Sequence, residues 1–462
     1  MGPAKKVVVI GWDSAPPQLV FGEWLEAMPN LRRLVAEGLW GEIESSVPPI
    51  TVPAWSCFAT SKNPGQLGFF GFRNRQDYSY EEITLATSTA VKEPTVWEIL
   101  SRAGKRVGLI GVPQTYPPRP VNGFVISCFL TPDTSCPYTY PTELKEEIAR
   151  LVGNYLLDVE GFRTEDKDRL LREIYEMTEK RFAVAKHLLR REEPDFFMLV
   201  EMGPDRIQHG FWKFCDPLHP KHVPGSPYQN VIKDYYLYLD QQLGELLSLV
   251  DRETAVMVVS DHGAKAMQGS VNVNDWLLRE GYLKLKEPVA GLVRLKEAKV
   301  DWAGTRAWGW GGYHGRVFLN VAGREPAGVI PPGAYASVQE ELAEKLHGIC
   351  DPEGRPLGTQ VLKPQEVYRG RYVDRSPDLL VYFGNLSWRA TEEIGHTGIY
   401  SFETEVGPDD AVHDRQGMFV LRPPGGTASQ RVSGAKLLDG APTILRLLGM
   451  PVPEDMEGKS LV

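Results

Sequence analysis

Three aspartates each follow an apolar, strand-like run of the sequence. The pairs are Val7–Ile10 with Asp13, Phe196–Val200 with Asp205, and Ala255–Val259 with Asp261. In open α/β sheets, ligands collect at the carboxyl ends of the strands. Three carboxylates that meet at one such edge would repel one another unless cations neutralise their charge. The pattern therefore predicts a metal site at the carboxyl edge of a sheet.

Two histidines accompany these aspartates at spacings that suit metal binding. His209 lies four residues after Asp205, so the two side chains would share one face of a helical turn. His262 follows Asp261 directly. Mixed carboxylate and imidazole ligands favour zinc over magnesium or calcium, with manganese and iron as the alternatives. Each motif alone arises often by chance, and the combination carries the prediction.

Thr51 lies where a strand is predicted to turn into a helix. Pro48 and Pro49 interrupt the chain after the strand-like Trp40–Ser46, and Pro53 stands where the next helix is expected to begin. The N-terminus of a helix offers free N–H groups and the positive end of the helix dipole to an anion. Thr51 is therefore expected beside an anion-binding helix end.

The rest of the chain alternates between helix-like and strand-like segments. A further strand is expected at Arg106–Ile110, and the predicted helices are Met28–Glu37, Thr95–Ala103, Asp166–Arg191 and Tyr235–Leu249. Strands that alternate with helices are typical of a mostly parallel α/β sheet.

The composition changes between about residues 288 and 395, where glycine, proline and aromatic residues become frequent. Strands are expected there at Arg316–Asn320 and Asp378–Phe383. We predict a catalytic core made of residues 1–287 and 396–462, with 288–395 inserted as a cap. Two interpretations stay open for its aromatic residues: a stacking wall for a nucleobase or aryl group, or a separate apolar cluster. These residues are Trp302, Trp308, Trp310 and Tyr313.

The bulk composition excludes several classes of protein. The chain has 462 residues and a net charge of −9, which argues against a stable nucleic-acid partner. Its five cysteines are odd in number and show no CxxC spacing, so reduced thiols are expected. No stretch approaches the roughly 20 apolar residues of a membrane span, and the first apolar run is too short for a signal peptide. We expect a cytoplasmic protein, and its oligomeric state stays open.

Eight motifs follow one another along nearly the whole chain. They are Val9–Asp13, Pro29–Leu31, Pro48–Trp55, Asn63–Gly65, Met202–His209, Ser260–Gly263, His413–Phe419 and Ala441–Leu445. Together they resemble the type I phosphodiesterase and nucleotide pyrophosphatase branch of the alkaline phosphatase superfamily. The resemblance implies an α/β fold with a mostly parallel central sheet, helices on both of its faces, and hydrolysis of a small-molecule phosphate ester.

The resemblance also implies two divalent metal ions. One would be bound by Asp13, Thr51, Asp261 and His262, and the other by Asp205, His209 and His413. His396 is the rival of His413, which is favoured because the residues that follow it fit the family. Two divalent ions would outweigh the charge of three aspartates, so the site would attract a phosphate.

The same resemblance assigns Thr51 as the nucleophile. A threonine hydroxyl is a poor nucleophile at neutral pH, and a bound metal ion favours its alkoxide. Attack on phosphorus would form a phosphothreonine intermediate, which water would then hydrolyse. Metal ions about 3.5–4 Å apart can stabilise both the attacking and the leaving oxygen.

The segment Gly71–Arg75 departs from the family pattern. Eukaryotic nucleotide pyrophosphatases carry an asparagine in this region that donates to a phosphate oxygen, and Asn74 could take that role. Arg73 or Arg75 could instead bind the extra charge of a monoester, because guanidinium matches phosphate geometry. The other interpretation is that both arginines are solvated.

The predicted function is cleavage of phosphodiester or pyrophosphate bonds with nucleotide-like or aryl leaving groups. The alternative is a phosphomonoesterase or phosphonate hydrolase on the same two-metal site. An isomerase of a related branch would use serine in place of Thr51, and a sulfatase would need cysteine or serine. A non-catalytic metal or phosphate binder is disfavoured by the complete ligand set.

Overall fold

The computed structural model describes residues 4–81, 83–404 and 406–462, and it is built around a ten-stranded sheet. The strands of the chain are β1 Lys6–Trp12, β2 Leu39–Glu44, β3 Arg73–Arg75, β4 Ile83–Leu85, β5 Val107–Ile110, β6 Gly123–Ile126, β7 Thr139–Tyr140, β8 Phe196–Glu201, β9 Thr254–Val259, β10 Gly263–Ala266, β11 Gly269–Val271, β12 Val293–Arg294, β13 Ala307–Trp310, β14 Gly315–Leu319, β15 Gln360–Leu362, β16 Leu379–Tyr382, β17 Trp388–Ala390, β18 Glu393–Ile394, β19 Tyr400–Ser401, β20 Ala411–Asp414, β21 Gln416–Arg422, β22 Gln430–Arg431 and β23 Ala435–Lys436.

Twelve α-helices are interspersed with these strands in the described residues. They are α1 Pro29–Ala36, α2 Thr51–Thr60, α3 Pro64–Leu67, α4 Val96–Arg102, α5 Leu144–Val152, α6 Lys167–Glu192, α7 Gly203–Cys215, α8 Val231–Leu247, α9 Val273–Arg279, α10 Tyr335–His347, α11 Pro364–Val367 and α12 Gly440–Leu447. A π-helical turn, Gln18–Trp24, follows β1.

The central sheet has the strand order β22-β2-β21-β9-β1-β8-β5-β6-β7, and β23 also pairs with β2. All of these strands run in one direction except β21 and β7, which are antiparallel to their neighbours. Every residue of β8 and β9 is buried, so both faces of the sheet are covered at its centre. The predicted fold class, an α/β protein with a mostly parallel sheet, is confirmed.

A second hydrophobic core lies outside the main one. It forms around the antiparallel sheet β13-β14-β16-β15 and helix α10, and its buried residues range from Val271 to Ile394. Helix α9 packs on β13 and contributes Trp276 and Leu277 to this core. The division predicted at residues 288 and 395 stays a prediction, and we refer to residues 288–395 as the cap.

Gly11, near the end of β1, lets the sheet approach helix α2 closely. A Cβ at this position would lie 2.5 Å from Cη2 of Trp55 and 2.9 Å from Cγ2 of Val200. The same Trp55 donates from Nε1 to Oδ2 of Asp13 at 2.7 Å. The absence of a side chain at Gly11 thus permits the contact that orients Asp13.

Replacing Gly11 with alanine is expected to lower the free energy of unfolding by about 1–3 kcal/mol, because the added methyl overpacks a buried contact. Gly22→Ala is the matched control, since Gly22 is exposed and a Cβ added there would have no neighbouring atom within 4 Å among the described residues. Denaturant unfolding of both variants measures the difference. Equal free energies for the two variants would contradict the close approach.

A membrane-spanning helix must be both long and apolar. Within the described residues, no helix combines the length and the hydropathy needed to cross a bilayer.

Candidate metal centre and catalytic cavity

Three adjacent strands bring the predicted aspartates together. β1 lies between β8 and β9 and pairs in parallel with both, so their carboxyl ends meet at one edge. Asp13 follows β1, Asp261 follows β9, and α7, which begins two residues after β8, carries Asp205. All three carboxylates are almost completely buried.

Helix α7 sets the geometry of Asp205 and His209. Pro204 occupies its first turn, where the missing N–H costs no hydrogen bond. The four-residue spacing places both side chains on one face, and Nε2 of His209 lies 3.3 Å from Oδ1 of Asp205.

Thr51 is the first residue of helix α2. The helix begins here rather than at Pro53, because the carbonyl of Ile50 already accepts from the N–H of Ala54 at 2.9 Å. Pro53 is accommodated in the first turn, where its nitrogen needs no partner. The Thr51 hydroxyl lies 3.3 Å from Nε2 of His262, at the edge where the aspartates meet.

His413 reaches the site from a strand far along the chain. It lies on β20, which pairs antiparallel with β10, the strand that follows His262. Its ring stacks on that of His262 with the centroids 3.8 Å apart, and its Nε2 lies 3.6 Å from Oδ1 of Asp205. The rival His396 instead lies near Glu393, with the side-chain atoms 3.8 Å apart.

All three histidine rings are held by Nδ1, so that Nε2 faces the aspartates. Nδ1 of His413 contacts the carbonyl of Pro49 at 2.8 Å, and Nδ1 of His262 contacts the carbonyl of Gly263 at 3.0 Å. Because a carbonyl only accepts, Nδ1 carries the proton and the lone pair remains on Nε2. Nδ1 of His209 is held by Asp409 at 2.6 Å. This is the arrangement of imidazoles that bind a metal through Nε2.

Each aspartate is anchored through one oxygen only. Asp13 accepts from Trp55, Asp261 accepts from the backbone N–H of Ser14 at 3.1 Å, and Asp205 accepts from Arg206 at 2.5 Å. The other oxygen of each carboxylate is buried and has no hydrogen-bond partner among the described residues. Buried carboxylate oxygens are normally satisfied, so these three are suited to bind cations.

The free atoms fall into two groups of ligands. Asp13, Asp261 and His262 form one group, and Asp205, His262 and His413 form the other, each with ligand atoms within 4.8 Å of one another. His209 adjoins the second group through Asp205. The residues present therefore fit two metal ions, with donor types that suit zinc.

The charges of the site also favour the binding of cations. Burial, reinforced by the nearby charge of Asp261, raises the pKa of Asp13 well above its usual range. Burial raises the pKa of Asp261 in the same way. Asp205 is buried too, but His209 and Arg206 hold its pKa well below the usual range. The carboxylates of Asp13 and Asp261 are thus costly to ionise until a cation lies beside them.

Asp409 is a residue of this site that the sequence patterns did not indicate. Besides holding His209, its carboxylate accepts from Nε of Arg163 at 2.7 Å and from the hydroxyl of Tyr313 at 3.1 Å. It is completely buried, and His209 and Arg163 outweigh that burial to keep its pKa low. Its one sequence signal is its position four residues before His413.

Replacing Asp409 with asparagine is expected to weaken metal affinity about 10- to 100-fold, because it removes the charge that orients His209. Asp216→Asn is the matched control at the end of helix α7, where Asp216 accepts from Trp212 outside the cavity. Titration of metal-free protein with zinc under a competing chelator measures both variants. Equal zinc affinity in the Asp409→Asn variant and the wild type would contradict the role of Asp409.

A cavity of about 410 Å³, which we call the catalytic cavity, opens onto Thr51, Asp205, His209 and His413. Arg73 lines this cavity. Arg75 instead forms an ion pair with the buried Glu325 at 3.2 Å.

Asn74 is buried in its own loop, where it accepts from the N–H of Phe70 and donates to the carbonyl of Gly71. It is not among the described residues that line the cavity. The predicted contact of Asn74 with substrate stays a prediction.

The four aromatic residues singled out in the cap do not form one wall. Tyr313 lies against His413, with the ring centroids 4.3 Å apart. Trp302 stacks on Tyr80 at 3.7 Å, and together with Trp308 and Trp310 they line a smaller neighbouring cavity of about 120 Å³. Only Tyr313 of the four lines the catalytic cavity among the described residues.

The comparisons with known proteins agree with this architecture. The family model of type I phosphodiesterases and nucleotide pyrophosphatases matches residues 7–412. A search among curated protein sequences finds no match.

Two solved structures share the fold over almost their whole length. Phosphonoacetate hydrolase from Sinorhizobium meliloti 1021 in complex with phosphonoformate superposes with a TM-score of 0.61 at 15% identity, covering 97% of this chain and 96% of that one. An inactive murine ectonucleotide pyrophosphatase/phosphodiesterase 5 in complex with AMP gives 0.55 at 13% identity, covering 98% and 97%. At these identities the likeness concerns the fold.

Proposed function

The chain belongs to the type I phosphodiesterase and nucleotide pyrophosphatase family, and we propose that it is a phosphoric ester hydrolase that cleaves phosphodiester or pyrophosphate bonds by attack of Thr51 on phosphorus. The observation that carries the proposal is the set of buried ligand atoms without partners around the Thr51 hydroxyl, among the residues that the structure describes. The substrate would be a small-molecule ester with a nucleotide-like or aryl leaving group.

The residues of the chain would bind and orient the phosphoryl group. Thr51 lies at the N-terminus of α2, where free N–H groups and the helix dipole favour an anion. The family resemblance assigns Asp13, Thr51, Asp261 and His262 to one metal ion and Asp205, His209 and His413 to the other. When bound, the ions would supply positive charge that favours the threonine alkoxide and stabilises the developing charge on phosphorus.

Two consequences of this assignment are part of the proposal. Displacement of the leaving group by the Thr51 oxygen would leave a phosphothreonine, and attack by water would then release the product and restore the hydroxyl. Zinc is the metal that the mixed carboxylate and imidazole ligands favour, with manganese or iron as alternatives. The cytoplasmic location stays a prediction.

A second candidate function is hydrolysis of phosphomonoesters or phosphonates on the same site. Arg73 lines the cavity, and its guanidinium could neutralise the additional negative charge of a monoester. The solved phosphonate-cleaving enzyme with the same fold is consistent with this candidate.

Two substrates with one leaving group separate the candidates. They are the 4-nitrophenyl ester of thymidine 5′-monophosphate, a diester, and 4-nitrophenyl phosphate, a monoester. We expect kcat/KM for the diester to exceed that for the monoester by at least about tenfold. The reverse order, with a selective loss of monoester turnover in Arg73→Gln, would favour the second candidate. Tight phosphate binding without turnover of any ester would identify a non-catalytic binder.

A further inference from the structure

The catalytic cavity is strongly cationic, although the protein as a whole is acidic. Five arginines line it against two carboxylates among the described residues: Arg73, Arg163, Arg206, Arg316 and Arg389 against Asp205 and Glu392. The bound metal ions would add further positive charge. A phosphoryl group at Thr51 does not account for the arginines on the cap side of the cavity.

Two of these arginines are neutralised by neighbouring carboxylates. Arg163 pairs with Asp409 at 2.7 Å, and Arg206 pairs with Asp158 at 2.7 Å while also donating to Asp205. Their charges are therefore used in supporting the metal ligands. Arg163 and Arg206 therefore contribute little to the binding of a further anion.

Arg316, on β14 of the cap, is in a different position. Its side chain is half-buried, and its two terminal nitrogens donate to the carbonyls of Arg73 and Gly311, each at 2.9 Å. It forms no ion pair with any described carboxylate, and its Nε has no hydrogen-bond partner among the described residues. Burial lowers the pKa of Arg316 to about 10, so it keeps its charge at neutral pH. Partial burial of this charge without a counter-ion is unfavourable, and an anion bound beside it would offset that cost.

His314 lies two residues earlier, in the turn between β13 and β14. Its side chain is only 4% exposed, and neither ring nitrogen has a hydrogen-bond partner among the described residues. Burial and the charge of Arg316 lower the pKa of His314 to about 3, so the ring is neutral and offers one N–H donor. Both His314 and Arg316 line the cavity that contains Thr51.

Glu392 lines the same cavity, and its negative charge acts on Arg316 and would oppose an anion. Its side chain lies 3.8 Å from Nε of Arg294, which lines the neighbouring cavity. Arg73, which is exposed on the cavity wall, forms no ion pair among the described residues and adds a second cation. The net charge of the side chains at this end of the cavity is thus positive.

We infer that Arg316, His314 and Arg73 form an anion subsite for a second negative group of the substrate, a carboxylate or a phosphate on the part remote from Thr51. This inference rests on the proposed function for the position of the phosphoryl group. It narrows the substrate class to phosphate esters or phosphonates that carry two separate anionic groups. The guanidinium of Arg316 and the N–H of His314 would donate to this second group, and the reaction at Thr51 would be unchanged.

Equilibrium binding of three phosphonates to zinc-loaded protein tests the subsite without turnover. The probes are ethylphosphonate, 2-carboxyethylphosphonate and ethane-1,2-bisphosphonate, measured by calorimetry in parallel. We expect at least one of the two probes with a second anionic group to bind about tenfold tighter than ethylphosphonate, because each adds a charge-assisted contact. The preferred one of the two distinguishes a carboxylate from a phosphate.

Three variants test whether the selectivity, the affinity for the preferred probe divided by the affinity for ethylphosphonate, comes from the subsite. Arg316→Met and His314→Phe are each expected to reduce this ratio to within about threefold of unity. His314→Phe serves if Arg316→Met fails to fold, because His314 has no hydrogen bond within the described residues to lose. Arg306→Gln is the matched control: this cap arginine is bound to Glu341 and does not line the cavity, so full selectivity is expected.

Equal affinity for all three probes in the wild type, or full selectivity in a folded His314→Phe or Arg316→Met protein, would overturn the subsite. Ester turnover without this selectivity would overturn the subsite and leave the proposed function intact. Selective binding without turnover of any ester would support the subsite and contradict the proposed function.

Discussion

Replacing Thr51 with alanine is expected to lower kcat for the preferred ester by about 10³-fold or more, because it removes the proposed nucleophile while the other six proposed metal ligands stay in place. Thr51 is the first residue of α2 and lines the cavity, and its hydroxyl lies 3.3 Å from Nε2 of His262. Thr51→Ser keeps a hydroxyl at the same position and is expected to retain part of the activity. Steady-state kinetics of both variants, with metal content measured in parallel, provides the comparison.

Thr60→Ala is the matched control at the other end of the same helix. Its hydroxyl donates to the carbonyl of Ser56 at 2.7 Å and does not line the cavity. We expect this variant to keep kcat within about twofold of the wild type, as for a substitution remote from the reacting atoms. Full activity in a Thr51→Ala protein would show that another group attacks phosphorus.

Removal of the metal ions is expected to abolish turnover, with a loss of at least about 10²-fold that zinc restores. The physical reason is the set of three buried aspartates, each with one oxygen that has no partner among the described residues. Without cations, burial and mutual repulsion raise the pKa values of Asp13 and Asp261, and the site loses the positive charge that attracts a phosphate. Dialysis against a chelator, metal analysis and readdition of zinc, manganese or iron measure the effect.

Asp261→Asn extends this test to the individual ligand groups. The variant keeps the size of the side chain and replaces the charged oxygen that has no partner among the described residues, so we expect the protein to bind one zinc ion fewer. Asp275→Asn is the control outside the cavity, where Asp275 accepts from the N–H groups of Gly395 and His396. Undiminished turnover by metal-free protein would contradict the metal requirement.

The fold class could be predicted because the central strands have a strong local signal. The run Val7–Ile10 is β-branched and apolar throughout, as is typical of a parallel strand covered on both faces, and it lies within β1. The start of α2 was harder to predict. Pro53 marked the first turn correctly, but the hydrogen bond from Ala54 to Ile50 begins the helix two residues earlier.

Strand β21 shows where local patterns were insufficient. It is inserted antiparallel between β2 and β9, within an otherwise parallel part of the sheet. The pairing depends on contacts between segments that lie far apart in sequence, and no spacing within Gln416–Arg422 specifies it. The sequence indicated this segment only through the family motif.

The candidate site also combines residues that local sequence patterns indicate with residues that these patterns miss. Asp205 and His209 could be singled out because a helical spacing links them, and Asp13 and Asp261 because strands end there. The groups that orient these ligands come from elsewhere in the chain: Asp409 holds His209 across 200 residues of sequence, and Trp55 holds Asp13 across 42. Such partners follow from tertiary packing, which a single sequence does not display.

In the segment Gly71–Arg75, too, the sequence alone could not distinguish the residues that line the cavity from those that do not. From sequence, Arg73 and Arg75 were equivalent candidates for binding a substrate charge. The fold separates them, because Arg73 lines the catalytic cavity, whereas Arg75 pairs with Glu325 in the cap. Glu325, which decides this outcome, lies 250 positions further along the chain than Arg75, so no local pattern indicates the pairing.

The stereochemical course at phosphorus tests the role of Thr51 most directly. A phosphorothioate diester of known configuration at phosphorus would be hydrolysed in ¹⁸O-enriched water by the zinc-loaded protein, and the configuration of the product determined. Two successive in-line displacements, first by Thr51 and then by water, each invert the configuration, so we expect overall retention. Overall inversion would mean that water attacks phosphorus in one step, and would contradict a covalent intermediate on Thr51.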